Sequence, residues 1–358
     1  MSFLDDSFFY NFQQSDFVQK ELRVDDFGLI RAVQEDTPMY RPLTPPLEAY
    51  INQLMDRQFE MPAIKEQTPV IATVESFTIP ENISESEKLT ATLVSLFSGF
   101  FWCDALIGKT VLGGENMVSS KEEYFVNKVN EICKAFAIAK EQTTYMFVDG
   151  RKTQVLNTNP GENDGYDFIT SELQVSLDAQ QERMFPNLQS IGRANGMPGA
   201  TKMVSSYGVQ FLMNYSDMFG AENSKNLQNQ GFIPQMFLSN RVIFDPNTQR
   251  WVGYLWEDGS FAYVNNFKHD FVVNKKLNGG SIVWDITPNK MPYINEQVMT
   301  FFREGPIDAS ALSGTTAEWK MTSGEEYAFF HRYLILGPYN SDIGSRFNPV
   351  IKVVGLPS

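Results

Sequence analysis

The side chains that most often carry chemistry are scarce in this sequence. Among 358 residues the only histidines are His269 and His331, and the only cysteines are Cys103 and Cys133. A metal site or a His-based catalytic group therefore has few donors, and no CxxC, HExxH or paired Cys/His spacing is present. His331 lies inside the apolar run YAFFHRYLIL, where a satisfied structural imidazole is expected. His269, in NFKHDF, has Asp270 beside it, but neighbours along a strand point to opposite faces, so the pair need not cooperate.

Phosphate-binding glycine patterns are missing as well. Gly113-Gly114 and Gly279-Gly280 lack the residues that flank a phosphate loop and read as turns. No G-x-S-x-G nucleophile elbow occurs. Asp and Glu number 43, yet nothing singles out two of them as a glycosidase pair. Trp251, Trp256 and Tyr263 could line a glycan site, but they alternate along strands as core side chains do. The sequence thus nominates no catalytic, cofactor-binding or metal-binding residue and implies no cofactor; it predicts a chain that is not an enzyme.

Composition narrows the field further. A hydrophobic share of 42% over this length supports a sizeable core. The net charge of −14 opposes a basic groove that neutralises nucleic-acid phosphates. Two widely spaced cysteines fit reduced thiols and synthesis in a reducing cytosol. The N-terminal MSFLDDSFFYNFQQSDFVQKE has acidic residues where a signal peptide needs basic ones. No apolar run approaches the roughly 20 residues that span a bilayer, so neither secretion nor membrane insertion is predicted.

The elements that would position any function follow from periodicity. Residues 1–62 are polar, acidic and interrupted by Pro38, Pro42, Pro45 and Pro46, which predicts an extended arm with one short helix over Leu47 to Phe59. Its aromatics, including Phe8, Phe12 and Phe27, predict that it docks on a neighbour. Two strand-like runs, Val70 to Val74 and Leu89 onward, flank the polar insert Glu81 to Lys88 and predict a two-stranded excursion that needs a surface to lean on. Ser119 and Ser120, with Glu122 and Glu123 three residues on, mark a helix start. Phe125, Val129, Ile132, Cys133 and Phe136 fall on one face of that helix, predicted over 119–142. Asp149-Gly150 then reads as a turn between strands. After the turn-rich 157–166, helices are expected at Ser171 to Met184 and Val209 to Met218, with strands at Gln235 to Phe244, Trp251 to Trp256 and Phe261 to Asn265. Turns are expected at Asp245-Pro-Asn247 and Glu257-Asp-Gly259. Strands at Tyr327 to Leu336 and Val350 to Val354 close the chain.

The order of these parts resembles the major capsid protein family of tailed bacteriophages, the Hong Kong 97 fold. SEKLTATLVSLFSGFFWCDALIG looks like the return strand of that family's E-loop, and SSKEEYFVNKVNEICKAFAIAKEQTTYMFVDG like its spine helix. QGFIPQMFLSNRVIFDP resembles a strand segment of its axial (A) domain, and EYAFFHRYLILGPYNSDIGSRFNPVIKVVG the closing strands of its peripheral (P) domain. Residues 185–235 match no part of it. The resemblance implies an α+β fold divided into an N-terminal arm (1–62), an E-loop (63–98), a P domain with the spine helix (99–158), an A domain (159–322) and C-terminal P-domain strands (323–358). It also implies a subunit whose partners are copies of itself, in hexamers and pentamers of an icosahedral virion shell. That shell is made in the host bacterial cytoplasm, encloses double-stranded DNA without gripping it, and engages scaffold, portal and decoration proteins but no membrane. Some members join a Lys to an Asn covalently; Lys65, Lys88, Asn340 and Asn348 have those residue types here without a matching motif. Two rival readings remain: another virion structural protein, such as a jelly-roll coat, tail or baseplate subunit, and an α/β enzyme or carbohydrate-binding module.

Overall fold

The structure is a computed structural model, and it describes residues 8, 11–12, 27–36, 58–64, 86–108, 118–153, 166–167, 172–176, 191–195, 197, 201–206, 235–239, 244–245, 250–265, 287–291, 293, 296–308, 321–337 and 350–356. The fold is α+β: an antiparallel sheet and a mixed sheet share one long helix.

The long helix, α2 (Lys121–Gly150), follows a shorter one, α1 (Gly28–Asp36). Its 30 residues make a rod about 45 Å long at ~1.5 Å per residue. The start is where the sequence placed it. Ser120 is the N-cap, its hydroxyl accepting the Glu123 N–H at 3.2 Å, and Glu122 and Glu123 sit at the positive end of the dipole. The stripe Phe125, Val129, Ile132, Cys133 and Phe136 is buried as expected.

The end of α2 differs from the expected one near residue 142. Thr143, Thr144 and Tyr145 have strand-like propensity, but tertiary packing overrides it. The Thr143 and Thr144 hydroxyls donate back to the carbonyls of Ala139 and Lys140 at 2.9 and 2.8 Å, while Val148 is wholly buried. Asp149-Gly150 thus ends a helix instead of joining two strands, with Arg151 N–H donating to the Val148 carbonyl at 3.0 Å.

The first sheet has the order β1 (Gln58–Ile64), β2 (Ser86–Trp102), β12 (Met321–Leu336), β11 (Glu296–Asp308) and β10 (Thr287–Met291), with β9 (Ala262–Asn265) also on β12. Its neighbours are antiparallel throughout. The excursion is two-stranded, but its partners differ from expectation. Residues 86–92 of β2 pair with Gln58–Ile64, whereas Val70 to Val74 lie outside the described residues. Ser86 to Lys88, expected in the polar insert, are already strand, and Phe59, expected at a helix end, pairs with Ala91. The rest of the Leu47 helix lies outside the described residues. Between β10 and β11, Tyr293 takes a left-handed φ of 65° and its hydroxyl donates to Asn130 Oδ1 on α2 at 3.0 Å.

The second sheet has the order β3 (Tyr166–Asp167), β4 (Glu172–Ser176), β13 (Val350–Leu356), β8 (Arg250–Glu257), β5 (Thr201–Ser205) and β6 (Gln235–Leu238), with β7 (Phe244–Asp245) on β8. Pairs β4–β13 and β5–β6 are parallel. The helix expected from Ser171 begins as strand β4 instead: Glu-Leu-Gln-Val-Ser alternates with period two, and its pairing with β3 and β13 decides the local conformation. The expected strand from Gln235 to Phe244 is two pieces, β6 and β7. The Glu257-Asp-Gly259 turn is present, with Gly259 at φ 89°. The two C-terminal strands, β12 and β13, join different sheets. His269, both glycine pairs and the helix at Val209 to Met218 lie outside the described residues.

Two apolar clusters distribute the core. The N-terminal half of α2 packs on the first sheet through Phe125, Val129 and Phe136 against Phe100, Trp102, Tyr327 and Phe329. The C-terminal end reaches the second cluster, where Val148 joins Val204, Tyr254, Trp256, Tyr263 and Tyr333. The arm corrects an expectation. Phe12 is buried in the first cluster and Leu29, Ala32 and Val33 in the second, so these residues dock on their own chain.

Candidate functional site

Because α2 spans both sheets, its charged residues become the polar connections between them. At its start, Lys121 Nζ donates to both oxygens of Glu325 on β12, at 2.7 and 2.6 Å, and Tyr327 donates to the same carboxylate at 2.7 Å. At its end, Asp149 accepts from Tyr254 of β8 at 2.6 Å and pairs with Lys352 of β13 at 2.9 Å.

The densest group lies between these anchors, where α1, α2 and strands of the first sheet converge. Lys140 and Glu141 are both fully buried, Glu296 is 5% exposed and His331 2%. Lys140 Nζ is 2.6 Å from Glu296 Oε1, and His331 Nε2 is 2.9 Å from Glu296 Oε2. Tyr263 donates to Glu296 Oε2 at 2.7 Å, and Gln34 of α1 donates to Oε1. The ammonium also sits over the rings of Tyr263 and Tyr333, at 4.5 and 5.1 Å. Glu141 faces the other way: it accepts the Leu29 and Ile30 N–H groups at 3.1 and 2.9 Å and the Ser239 hydroxyl. It thereby caps the N-terminus of α1.

Burial sets the electrostatics of this seam. Desolvation pulls Lys140 down to about 8 despite Glu296 beside it. Burial pushes Glu141 up to about 7 against the opposing pull of Ser239, the two amides and Lys140. Glu296 is also desolvated, but Lys140 and His331 outweigh that and hold it at about 2. The group is buried between Tyr263, Tyr333 and α1, and its ion pairs and hydrogen bonds tie α1, α2 and the first sheet together.

His331 is buried in strand β12, its Nε2 2.9 Å from Glu296 Oε2. Trp256 and Tyr263 are fully buried, so they pack the core and present no ring to a glycan. Cys103 and Cys133 are both free thiols in the first cluster, and burial pushes the Cys133 thiol up. Sequence reasoning missed Lys140, Glu141 and Glu296. The available signal was Lys140 itself, four residues beyond Phe136 on the buried stripe. Among the described residues no helix is long and apolar enough to cross a membrane, and no group of three His, Cys, Asp or Glu is arranged to hold a metal.

No protein-family model and no curated protein matches the chain. Among solved structures it is similar to the capsid of Ralstonia phage GP4, at 9% identity and a TM-score of 0.44 over 90% of this chain and 88% of that one. It is also similar to the capsid of cyanophage P-SCSP1u, at 10% identity and a TM-score of 0.40 over 84% of each chain. A third similar chain, from Mycobacterium phage Che8, is 11% identical with a TM-score of 0.41 over 87% of this chain and 88% of that one.

Proposed function

We propose that this chain is a major capsid protein of Hong Kong 97-like architecture, a non-enzymatic subunit that assembles with itself into the hexamers and pentamers of an icosahedral phage shell. The observation that carries this reading is the change of partner along β2. Its outer residues Ser86–Thr92 pair with β1, and its inner residues Leu93–Trp102 pair with β12. A single strand is therefore shared between the body of the sheet and a two-stranded ribbon. A two-stranded ribbon is marginal in water by itself, so this one calls for a surface on an adjacent copy, as an E-loop does.

Further along the chain, α2 takes the place of the spine helix. A 30-residue helix and two parallel strand pairs fit this architecture better than a jelly roll. The net charge of −14 suits a shell that encloses double-stranded DNA without binding it tightly. In this reading residues 1–62 are the arm, 63–98 the E-loop, 99–158 and 323–358 the P domain and 159–322 the A domain. Scaffold, portal and decoration proteins are the further partners, the virion capsid is the location, and the host cytoplasm the site of synthesis. Expression followed by negative-stain electron microscopy tests it. Closed shells, hexamers or pentamers are expected, and a species that stays monomeric at high concentration overturns it.

A further inference from the structure

We propose that α1 is a pH-sensitive latch, closed over the charged seam below neutral pH and loosened from α2 and the second sheet as pH rises. The seam contains two carboxylates, Glu141 and Glu296, but one ammonium, Lys140, and one imidazole, His331. Both cationic partners converge on Glu296, at 2.6 and 2.9 Å. The groups hydrogen-bonded to Glu141 are neutral: the amides of Leu29 and Ile30 and the Ser239 hydroxyl. When both acids are ionised and the imidazole is neutral, the seam buries one negative charge in excess. Burying such a charge is costly, and a protein escapes the cost by keeping the proton or by letting water in.

The docked helix is what excludes that water. Leu29, Ala32 and Val33 are fully buried over the seam and against Val204, Phe237 and Trp256. Of the other charged groups at α1, Lys202 lies 2.8 Å from Asp258 and 3.5 Å from the Ala32 carbonyl, and Arg31 pairs with Glu35 at the surface. Gln235 donates to Glu35 at 3.2 Å. Tyr263 and Tyr333 complete the surroundings of Lys140. The cation that acts on Glu141 is Lys140, and its ammonium is already paired with Glu296 at 2.6 Å. A protonated Glu141 keeps the latch closed, because its hydroxyl can donate to Ser239 while the carboxyl oxygens still meet the α1 amides.

The linkage runs in one direction. Docked, Glu141 holds its proton to about 7; hydrated, it returns towards an ordinary 4.5. Docking therefore weakens by roughly tenfold per pH unit between those values and levels off above them.

Hydrogen exchange of the full-length chain tests this, following the peptide over 28–36 against one over β13 from about pH 5 to pH 8, with rates corrected for intrinsic exchange. Protection of 28–36 should fall by at least tenfold relative to β13 up to about pH 7 and then flatten, and Glu141→Gln should abolish the slope. Constant protection in the wild type, or an unchanged slope in Glu141→Gln, overturns the proposal. Should circular dichroism show that Glu141→Gln does not fold, Ser239→Ala takes its place. Losing a donor that favours the charged carboxylate must carry the decline on past pH 7 before it levels off, and an unmoved plateau also overturns the proposal. The latch belongs to the subunit and stands whether or not the chain builds a shell.

Discussion

Lys352 Nζ lies 2.9 Å from Asp149 Oδ1 and 2.9 Å from Glu172 Oε1, so one ammonium on β13 joins the last turn of α2 to the neighbouring strand β4. Desolvation opposes every charge here, yet the pairing prevails: Lys352 is held above and Asp149 below its ordinary value. The helix is thus fixed to the second sheet by a polar clamp on the same face as Tyr254.

Removing that ammonium should be costly. Lys352→Met removes the ammonium 2.9 Å from Glu172, a carboxylate only 4% exposed. A loss on the order of 3 kcal/mol is expected, since removing one partner of a buried ion pair is costly. Urea unfolding of the wild type and variant measures it, and a change below about 1 kcal/mol would mean that the clamp is solvated.

Lys140 and Glu296 should show coupling of the same origin. Lys140→Met alone is expected to destabilise by about 3 to 5 kcal/mol because the buried Glu296 loses the ammonium 2.6 Å away. Adding Glu296→Gln should recover part of that, since a neutral amide is cheaper to bury than a carboxylate. A double-mutant cycle by chemical denaturation reads the coupling, and additive losses would rule the pair out as a unit.

Two glycines give opposite expectations for the same substitution. A Cβ on Gly28 would overlap the carbonyl oxygen of Leu238, so α1 cannot dock on β6 without shifting. Gly28→Ala should cost about 1 to 3 kcal/mol and raise protease cleavage near α1. A Cβ on Gly150 meets nothing within 4 Å, and Gly150→Ala should be neutral or stabilising by up to about 1 kcal/mol. Similar effects from both would contradict the close approach of α1 to β6.

The contrast between what the sequence reveals and what it hides has physical causes. The stripe from Phe125 to Phe136 and the Ser120 cap are local signals, since a helix reports its buried face within a few residues. The run from Thr143 to Val148 misleads because its propensity is strand-like while its packing partners, Tyr254 and Phe261, lie more than a hundred residues away. The pairing of Gln58–Ile64 with Ser86–Thr92 is also non-local, and the β-rich Val70 to Val74 offers a nearer candidate. Glu141 and Glu296 look like solvated charges until the chain folds, because burial of a carboxylate depends on which backbone amides and cations arrive from elsewhere.

Glu141, Glu296 and Lys140 together give the stability curve a distinctive shape. Glu296 is held at about 2 against an ordinary 4.5, so its contribution is present above 4.5 and lost as pH falls through 2; stability rises with pH over that window. Glu141 is raised to about 7, so the folded state binds a proton that the unfolded state has released, and stability declines from 4.5 to 7. Lys140 is lowered to about 8 against 10.5, so the unfolded state binds the extra proton between those values and stability climbs again. Unfolding free energies from urea titrations at intervals from about pH 3 to pH 10 should therefore show a maximum near pH 4.5 and a minimum near pH 7 to 8. Glu141→Gln should remove the decline and leave the acid limb. A single broad maximum at neutral pH would mean that water reaches the seam in the folded state, because only hydration would return all three groups to their ordinary values.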